Sequence, residues 1–296
     1  MGYHCIVLVK QVPDTANLSG EVMRPDGTVN RARLPAIFNP DDRVALEVAL
    51  QVRDQHGGTV EVLTMGPPKA SDMLRECLYM GADAAHLVSD RKFAGADTQA
   101  TSYVLSEAIK KVGDFDLIFA GRQAIDGDTA QVGPQTAEKL GFPQITYAAE
   151  IVDLHDDKIV VKRRIDGGYE ILESPLPVLI TVIKDAATPR PFKAKQVMAV
   201  KNAKSLLELE KLTEANSLLY IDDLKAEYIA KDLYIPTYTF DDLDVDPERC
   251  GLAGSPTKVH KVEYVVLEGG EHEKIDPTKD GIGHLVDSLV SDHIFG

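Results

Sequence analysis

Short apolar runs alternate with segments of helical periodicity along the first two-thirds of the chain. The runs are Cys5–Val9, Val60–Met65, Ala85–Val88, Leu117–Ala120 and Val178–Ile183. Each run is nearly continuous in apolar residues, as is typical of strands covered on both faces. The alternation of strands and helices predicts an α/β fold with a doubly wound, mostly parallel sheet.

The helical segments between these runs have recognisable ends. The first begins at Asn39-Pro40-Asp41-Asp42, with asparagine as the N-cap and proline in the first turn. Three more helices are predicted over about Lys69–Met80, Asp97–Lys111 and Thr129–Leu140, each followed by a glycine. Asp128 and Gln131 have the spacing of a capping box at the start of the last helix.

The pattern changes after residue 157. Lys158–Arg164 and Tyr169–Glu173 flank an Asp-Gly-Gly turn, which predicts an antiparallel hairpin added to the sheet. Prolines in Thr188–Lys195 predict a loop. Residues 201–232 have a helical pattern, and a final helix is predicted over about Ile282–Asp292. We therefore expect an α/β domain over 1–200 and a long C-terminal extension over 201–296.

Charge and composition exclude several classes of protein. The chain has 296 residues with 32 Lys and Arg against 47 Asp and Glu, a formal net charge of −15. Such a chain repels nucleic acid and anionic membranes, so we expect no nucleic-acid partner. It enters its first apolar run without a basic leader and lacks an apolar run of about 20 residues, so we expect a cytoplasmic protein.

The chemistry-bearing side chains form no familiar catalytic or metal-binding motif. Three cysteines are widely spaced and eight histidines are scattered, so we predict no metal site and no disulfide framework. The GxSxG and HExxH patterns are absent. We therefore assign no catalytic residue and expect a bound cofactor to carry any chemistry.

Ligands of open parallel sheets bind beyond the carboxyl ends of the strands. Three segments fall there: Lys10–Asp14, Thr64–Pro68 and Gly121–Pro134. The third is the most informative, because a strand leads through a glycine-containing loop into a helix whose first N–H groups can bind an anion. Arg122 adds a positive charge at the same place. These features are compatible with the pyrophosphate of a nucleotide and equally with a capped turn that binds nothing.

Several separated motifs together resemble one family. They are Val9–Asp14, Asn39–Asp42, Thr64–Pro68, Met80–Asp83, Ala120–Asp126, Ile165–Gly168 and Thr188–Arg190. They occur over about residues 3–200 in the order found in the β subunits of electron-transferring flavoproteins. The chain resembles these β subunits, and the Ala120–Asp126 motif is the most specific part of the resemblance.

The resemblance implies a heterodimer with an α subunit that carries its own FAD. The extension over 201–296 has few apolar runs of its own, so we expect it to pack on the first domain or on another subunit, and of these we favour the partner subunit. In ordinary members the β subunit holds a structural AMP. In electron-bifurcating members the same pocket holds a second FAD, which NADH reduces. One electron then passes to ferredoxin or flavodoxin, and the other passes through the α-subunit FAD to a dehydrogenase. The chain would thus be an electron-transfer subunit of an NADH-oxidising complex rather than a stand-alone enzyme.

The resemblance also implies a set of cofactor-binding residues. The adenosine end would lie against Val9, Lys10, Asn39, Asp41, Thr64, Met65 and Gly66. Gly121, Arg122 and Gln123 would lie along the nucleotide. The phosphates would be held by Asp126, Thr129, Ala130, Gln131, Val132, Gly133 and Pro134.

Features of the loops distinguish between members of the family. The stretch Asp126–Pro134 and the segments Thr64–Pro68 and Gly251–Thr257 are similar to those of the bifurcating type, which favours FAD over AMP. The partner-recognition loop at about Pro189–Met198 has Ala194-Lys195 where ordinary members have a leucine. The dehydrogenase partner could therefore be of the acyl-CoA or the hydroxy-acid type. Two alternatives are a non-bifurcating β subunit with AMP, and an unrelated enzyme or sensor that binds an adenine nucleotide.

Overall fold

A computed structural model describes residues 2–14, 35–216, 218–257, 274–292 and 294 of the chain. Its strands are β1 Tyr3–Leu8, β2 Gln11–Pro13, β3 Ala36–Phe38, β4 Gly58–Met65, β5 Ala84–Val88, β6 Leu117–Gly121, β7 Gln144–His155, β8 Lys158–Ile165, β9 Gly168–Pro175, β10 Val178–Val182, β11 Lys204–Ser205, β12 Tyr234–Ile235 and β13 Thr237–Tyr238. Its helices are α1 Pro40–His56, α2 Ser71–Met80, α3 Thr98–Val112, α4 Val132–Leu140, α5 Ala194–Val200, α6 Leu206–Ala215, α7 Ile221–Ala230 and α8 Lys279–Ser291.

Nine strands form one sheet in the order β13-β5-β4-β1-β6-β10-β7-β8-β9. The pairs from β13 to β7 are parallel, whereas β7, β8 and β9 pair antiparallel. The predicted α/β fold class, with its mostly parallel sheet and added hairpin, is therefore confirmed. Ile165 pairs with Gly168 at the predicted Asp-Gly turn.

The central strands are apolar throughout because helices cover both faces of the sheet. In β1, Cys5 and Val7 pack in one core with α1 and α2. Ile6 and Leu8, which point the other way, pack in a second core with α3 and α4. This alternation, with two separate hydrophobic layers, is the doubly wound arrangement that the sequence predicts.

The sheet has a topological switch point between β1 and β6. After β1 the chain continues through α1 to β4 on one side, and after β6 it continues through α4 toward β7 and β10 on the other. The loops that leave these two neighbouring strands therefore diverge at the carboxyl edge and open a crevice between them. We call this space the switch-point crevice; it is bounded by Lys10 after β1 and by Gly121–Gln123 at the end of β6.

The structure corrects two of the predicted element boundaries. The helix expected from Thr129 begins only at Val132, so α4 is shorter at its start. The segment Thr188–Lys195 is not a loop throughout, because α5 begins at Ala194. The helical pattern over 201–232 corresponds to α6 and α7, and the final helix is confirmed as α8.

Part of the C-terminal extension packs on the α/β unit. Strand β13 adds a parallel edge strand beside β5, with Thr237 opposite Leu87 and Tyr238 opposite Val88. Helix α8 instead exposes the apolar side chains of Ile282, Leu285, Val286 and Val290. Packing of the extension on another subunit stays a prediction.

No helix among the described residues is long and apolar enough to cross a membrane. The same part of the chain holds no group of three His, Cys, Asp or Glu side chains that could bind a metal ion.

Candidate functional site

The buried carboxylate of Asp42 joins the two sides of the switch-point crevice. Its Oδ2 accepts a hydrogen bond from the Lys10 backbone N–H at 2.8 Å, and its Oδ1 accepts one from the Gly121 N–H at 3.1 Å. One side chain from the first turn of α1 therefore holds the ends of β1 and β6 in fixed positions. Burial raises the pKa of Asp42 to about 7, although the Asn39 side chain and the two backbone donors lower it.

Gly121 must be a glycine because α1 packs directly against it. A Cβ at this position would lie 2.4 Å from Asp42 Oδ1 and 2.6 Å from the backbone of Asp41 and Asp42. No side chain fits at such distances without displacing the helix. The sequence predicts that Gly121 allows close approach of a ligand, whereas the structure shows close approach of the protein's own helix.

Asn39 occupies the N-cap position of α1 as predicted, but its side chain forms hydrogen bonds with the loop after β6 and not with the first turn of the helix. Its Nδ2 donates to the Gln123 carbonyl at 2.9 Å, and its Oδ1 accepts from the Ile125 N–H at 3.2 Å. The amide thus fixes the backbone of the loop after β6. The predicted capping role of the Asn39 side chain is wrong, because these long-range partners take its donor and acceptor.

An ion pair crosses the crevice mouth. Lys10 Nζ lies 2.8 Å from Asp126 Oδ1 and 2.9 Å from Oδ2. The pair neutralises Asp126, a carboxylate that would otherwise repel a phosphate nearby. It also ties the loop after β6 to the end of β1.

The backbone between Asp126 and α4 is strained. Asp128 and Ala130 have φ values of 50° and 52°, the left-handed region that L-residues rarely adopt. Gln131 follows in the right-handed region, with φ −106° and ψ −28°. Where successive residues alternate between left- and right-handed conformations, their N–H groups turn to one side and form a concave anion site, called a nest. The φ values of Ala130 and Gln131 alternate in this way, so we expect a nest here. Such strain clusters at functional sites.

The predicted capping box at the start of α4 is wrong. Asp128 accepts a hydrogen bond from Gln123 Nε2 at 2.7 Å, and Gln131 Oε1 accepts one from Thr98 Oγ1 at 3.0 Å. Both side chains point to other elements, since the left-handed backbone at Asp128 and Ala130 carries the chain away from capping geometry. The first N–H groups of α4, those of Val132 and Gly133, lack an intrahelical acceptor as at every helix start.

Gly133 lets α4 approach the sheet. A Cβ here would lie 2.8 Å from the Thr181 methyl carbon in β10 and 3.7 Å from Ala120 Cβ. The predicted need for glycine at this position is therefore explained by helix–strand packing. Because α4 sits so close to β10, its first turn lies at the carboxyl edge of the sheet, beside the end of β6.

The buried Asp41 and the partly exposed Arg122 at the crevice each have one buried polar atom without a hydrogen bond to the described residues. Asp41 Oδ2 and Arg122 Nε lie 3.6 Å apart, and neither has a hydrogen-bond partner among the described residues. Burial raises the pKa of Asp41, and the charges of Arg122 and Lys184 oppose that effect only in part. The Arg122 guanidinium also lies 5.9 Å from the centre of the Tyr147 ring. An acceptor left unpaired in this way is suited to a donor hydroxyl or amine of a ligand.

Val9 lies at the end of β1 itself, and Thr64–Gly66 lie at the end of β4, the neighbouring strand. Val9 is buried and its N–H donates to Leu63 O at 3.0 Å, so its side chain belongs to the core. Thr64 is also buried, and the Gly66 N–H donates to Val88 O at 3.0 Å at the end of β4. The structure therefore brings Lys10, Asn39, Asp41, Gly121–Gln123 and Asp126–Gly133 together, with Thr64–Gly66 at the adjoining strand end.

Two residues that shape the site were not predicted from the sequence. Asp42 was named only as part of the predicted start of α1, and Thr181 had no predicted role. Thr181 is buried, and its Oγ1 accepts from the Tyr147 N–H at 3.1 Å where β7 bulges.

Comparisons with known proteins identify the family of the chain. A family model for the electron transfer flavoprotein domain matches residues 26–205. The chain is 41% identical over 289 residues to the electron transfer flavoprotein subunit beta of Clostridium acetobutylicum, covering 97% of this chain and 98% of that protein.

Two further relatives belong to named reductase complexes. The caffeyl-CoA reductase–Etf complex subunit CarD of Acetobacterium woodii is 42% identical over 291 residues, covering 98% of each chain. The acryloyl-CoA reductase electron transfer subunit gamma of Anaerotignum propionicum is 44% identical over 299 residues, covering 97% of this chain and 98% of that protein. With the family model matching more than half of its length, the chain belongs to the electron transfer flavoprotein family as a β-type electron-transfer subunit that partners an α subunit.

Proposed function

We propose that this chain binds FAD in the switch-point crevice, accepts a hydride from NADH and bifurcates the electrons. One electron would pass to ferredoxin or flavodoxin, and the other through the FAD of the α subunit to a dehydrogenase. The observation that carries the nucleotide assignment is the strained turn at Asp128–Gln131, which leads into the uncapped start of α4 beside the crevice.

The residues present fit a nucleotide diphosphate. The nest and the Val132 and Gly133 N–H groups supply donors for phosphate oxygens, and the Lys10–Asp126 pair removes the repulsion of the loop carboxylate. Asp41 Oδ2 would accept a ribose hydroxyl or an adenine amine, because it is buried and lacks a donor among the described residues. Bound FAD supplies the chemistry of accepting a hydride and releasing electrons one at a time.

The protein's own residues position the ligand and limit its movement. Asn39 and Asp42 fix both loops that bound the crevice, so the donors are in place before binding. Preorganised donors lose little entropy when the ligand arrives, which favours tight retention. Arg122, whose Nε is buried without a hydrogen-bond partner among the described residues, would donate to a phosphate or to the ring system of the flavin.

The relatives support an acyl-CoA type of dehydrogenase as the terminal partner. Two of them are electron-transfer subunits of CoA-thioester reductases by name and match this chain from end to end. A hydroxy-acid dehydrogenase is the second candidate, because the recognition loop departs from that of ordinary members at Ala194-Lys195. We place the complex in the cytoplasm.

The extension would hold the partner subunit. Helix α8 has apolar side chains at Ile282, Leu285, Val286 and Val290, a spacing that places them on one face. They are exposed in the isolated chain, which is unfavourable unless another surface covers them. We propose that α8 packs on the α subunit.

The nucleotide content of the complex tests this function. The chain is co-expressed with its α subunit, and the purified complex is denatured so that released nucleotides can be identified by chromatography and absorbance. Two FAD per heterodimer is the expected result, and NADH should then reduce ferredoxin in the presence of the dehydrogenase. One FAD and one AMP would contradict the bifurcating function and leave a non-bifurcating β subunit.

A further inference from the structure

A second cavity lies beside the first turns of α1. Its volume is about 530 Å³, a size typical of small-molecule sites. Strand β3, helices α1 and α2 and the segment after β10 form its walls, which include Phe38, Val44, Glu76, Lys184 and Pro189. The walls contain neither Lys10 nor any residue of the loop after β6, so this cavity is distinct from the switch-point crevice. We call it the side cavity.

Two cations without a counter-ion line the side cavity. They are Arg43, from α1, and Lys184, from the segment after β10. Neither side chain forms an ion pair with another described residue. The Arg43 Nε is buried, and it has no hydrogen-bond partner in the same part of the chain. A buried N–H donor without an acceptor is costly, so an anion that enters the cavity would gain from pairing with it.

An aromatic ring holds the Arg43 guanidinium in place. The Arg43 Cζ lies 5.4 Å from the centre of the Phe192 ring, which is a cation–π contact. Phe192 in turn packs edge-on against Tyr79, with 5.6 Å between the ring centres. The ring positions the cation but does not take up its N–H groups in ordinary hydrogen bonds. These donors therefore stay available to a ligand.

The wall formed by Thr188 and Pro189 is anchored to α1. The next residue, Arg190, donates to Glu47 Oε2 from its backbone N–H at 3.0 Å and from its Nε at 2.8 Å. Its Nη2 also donates to Glu47 Oε1 at 3.1 Å, and Glu47 is buried. Because three hydrogen bonds fix this wall, the cavity is formed before a ligand arrives, which lowers the entropy cost of binding.

The remaining walls determine which anion fits. Glu76 is the one acid among the lining residues, so two cations against one acid leave one positive charge in excess. Burial raises the pKa of Glu76, as does the charge of Asp72, whereas the charge of Arg43 lowers it. Most other lining side chains are apolar, among them Ile37, Phe38 and Val44. The cavity thus combines an excess of one positive charge with an apolar surface.

We propose that the side cavity binds a small organic monocarboxylate, with its carboxylate on Arg43 and Lys184 and its body against the apolar wall. A guanidinium can bind a carboxylate through two parallel hydrogen bonds. A single carboxylate matches the one excess positive charge, whereas a dianion would place a second negative charge near Glu76. The inference goes beyond the proposed function and does not depend on the nucleotide in the crevice.

Matched compounds test the charge and the apolar body separately. The probe is 2-naphthoate; 2-naphthamide has the same rings without the charge, and acetate has the charge without the rings. Each is titrated into the full chain, and binding is followed by the NMR signals of the compound and of the Ile37 and Val44 methyl groups. We expect one 2-naphthoate per chain, bound about tenfold more tightly than either relative. The dianion 2-naphthyl phosphate should bind more weakly than 2-naphthoate.

Three variants test the cations. Arg43→Met keeps an apolar stem but removes the guanidinium, and we expect about tenfold weaker binding of 2-naphthoate. Lys184 is exposed, so Lys184→Met should weaken binding only about two- to threefold. Lys111→Met is the matched control, because α3 packs in the core on the opposite face of the sheet from α1. It should leave the affinity unchanged.

The competing outcomes are distinct. Absence of 2-naphthoate binding, equal binding of 2-naphthamide, or wild-type affinity in Arg43→Met would each overturn the inference. Displacement of 2-naphthoate by FAD would also overturn it, because the side cavity and the crevice would then be one site. The comparison of carboxylate with amide uses the wild-type chain and so does not depend on the folding of a variant. Failure of FAD to bind would contradict the proposed function alone.

Discussion

Helices α3 and α4 lie side by side on one face of the sheet, yet they begin in opposite ways. The first turn of α3 is closed. Asp97 Oδ1 accepts from the Ala100 N–H at 3.0 Å, and Asp97 Oδ2 accepts from the N–H and the hydroxyl of Thr257 at 3.0 and 2.7 Å. The Asp97 N–H in turn donates to Ser255 Oγ at 2.8 Å. A segment of the C-terminal extension thus covers this helix start.

The first turn of α4 is open by contrast, meaning that no side chain caps it. Its N-cap residue, Gln131, uses its side chain to accept from Thr98 in α3, and a strained turn at Asp128 and Ala130 precedes it. Both loops contain glycine and an aspartate, so their composition alone did not separate them. We infer that the start of α3, which the protein's own groups satisfy, is structural, and we propose that the start of α4, which follows a strained turn, receives an anion.

The largest expected effect comes from closing the space at Gly121. Gly121→Ala places a Cβ 2.4 Å from Asp42 Oδ1, so α1 must shift and both strand ends lose their common anchor. We expect a loss of about 3 kcal/mol in the free energy of unfolding and loss of bound nucleotide. Chemical denaturation and nucleotide content measure the two effects.

The matched control for this variant is Gly127→Ala. A Cβ at Gly127 would meet no described atom within 4 Å. We expect nearly wild-type stability and nucleotide content. A similar loss in both variants would contradict the assigned role of Gly121.

The next effect tests the position of the open helix start. In Gly133→Ala the added Cβ meets the Thr181 methyl at 2.8 Å and pushes α4 away from β10. We expect a destabilisation of about 1–2 kcal/mol and weaker nucleotide retention. Thr181→Ser removes that methyl group but keeps the hydroxyl that bonds the Tyr147 N–H, so it should restore both quantities in the double variant. Lack of rescue would show that Gly133 acts through something other than packing.

Removing the cap of α3 should lower the stability of the fold without changing nucleotide binding. Asp97→Ala leaves the Ala100 N–H and both Thr257 donors without their acceptor. The expected destabilisation is about 1 kcal/mol, with unchanged nucleotide content. Gln131→Ala at the corresponding position of α4 should cost less than about 0.5 kcal/mol. A larger stability loss in Gln131→Ala than in Asp97→Ala would contradict the conclusion that the start of α3 is capped and the start of α4 is not.

Relaxing the strained turn before α4 should weaken nucleotide binding and leave the free energy of unfolding nearly unchanged. Ala130→Gly removes the steric cost of a φ of 52° but makes the turn more flexible. We expect a change in unfolding free energy of less than about 0.5 kcal/mol, because strain relief and added chain entropy oppose each other. Nucleotide affinity should fall a few-fold, as measured by calorimetry. An affinity equal to the wild type would mean that the turn is not prepared for the ligand.

The smallest expected effect is the pH dependence of the stability that Asp97 contributes at the closed start of α3. Burial raises the pKa of Asp97, but hydrogen bonds from Ala100 and Thr257 outweigh it and hold the pKa below its ordinary value. A lowered pKa in the folded state adds stability above the ordinary pKa of about 3.9, and this stability disappears as the pH falls through the lowered value. The stability difference between wild type and Asp97→Asn should therefore shrink in acid. A difference independent of pH would exclude this contribution.

Local patterns predicted most of the fold. The continuous apolar runs correctly indicated β1, β4, β5, β6 and β10, and the Asp-Gly turn indicated the hairpin. Strand β7 was missed because its pairing shifts register on both sides, at Ile180/Val182 with β10 and at Ala148/Glu150 with β8. These bulges interrupt the alternation of period two that identifies a half-buried strand.

The sequence predicted where the site lies, but not which hydrogen bonds its side chains form. The switch-point rule located the loop after β6, and the helix predicted from about Asp97 is confirmed as α3, with Asp97 as its N-cap. The capping box at Asp128 failed because Gln123 and Thr98, distant in sequence, take the two side chains that would form it. Such long-range partners leave no periodic signal, which is also why the bridging role of Asp42 was not visible before the fold.

Hydrogen exchange with and without FAD tests the central claim most directly. We expect FAD to slow exchange of the backbone amides in residues 121–135 and to leave residues 94–101, at the closed start of α3, unchanged. Protection at the start of α3 without protection of 121–135 would contradict the assignment of the open helix start as the phosphate site.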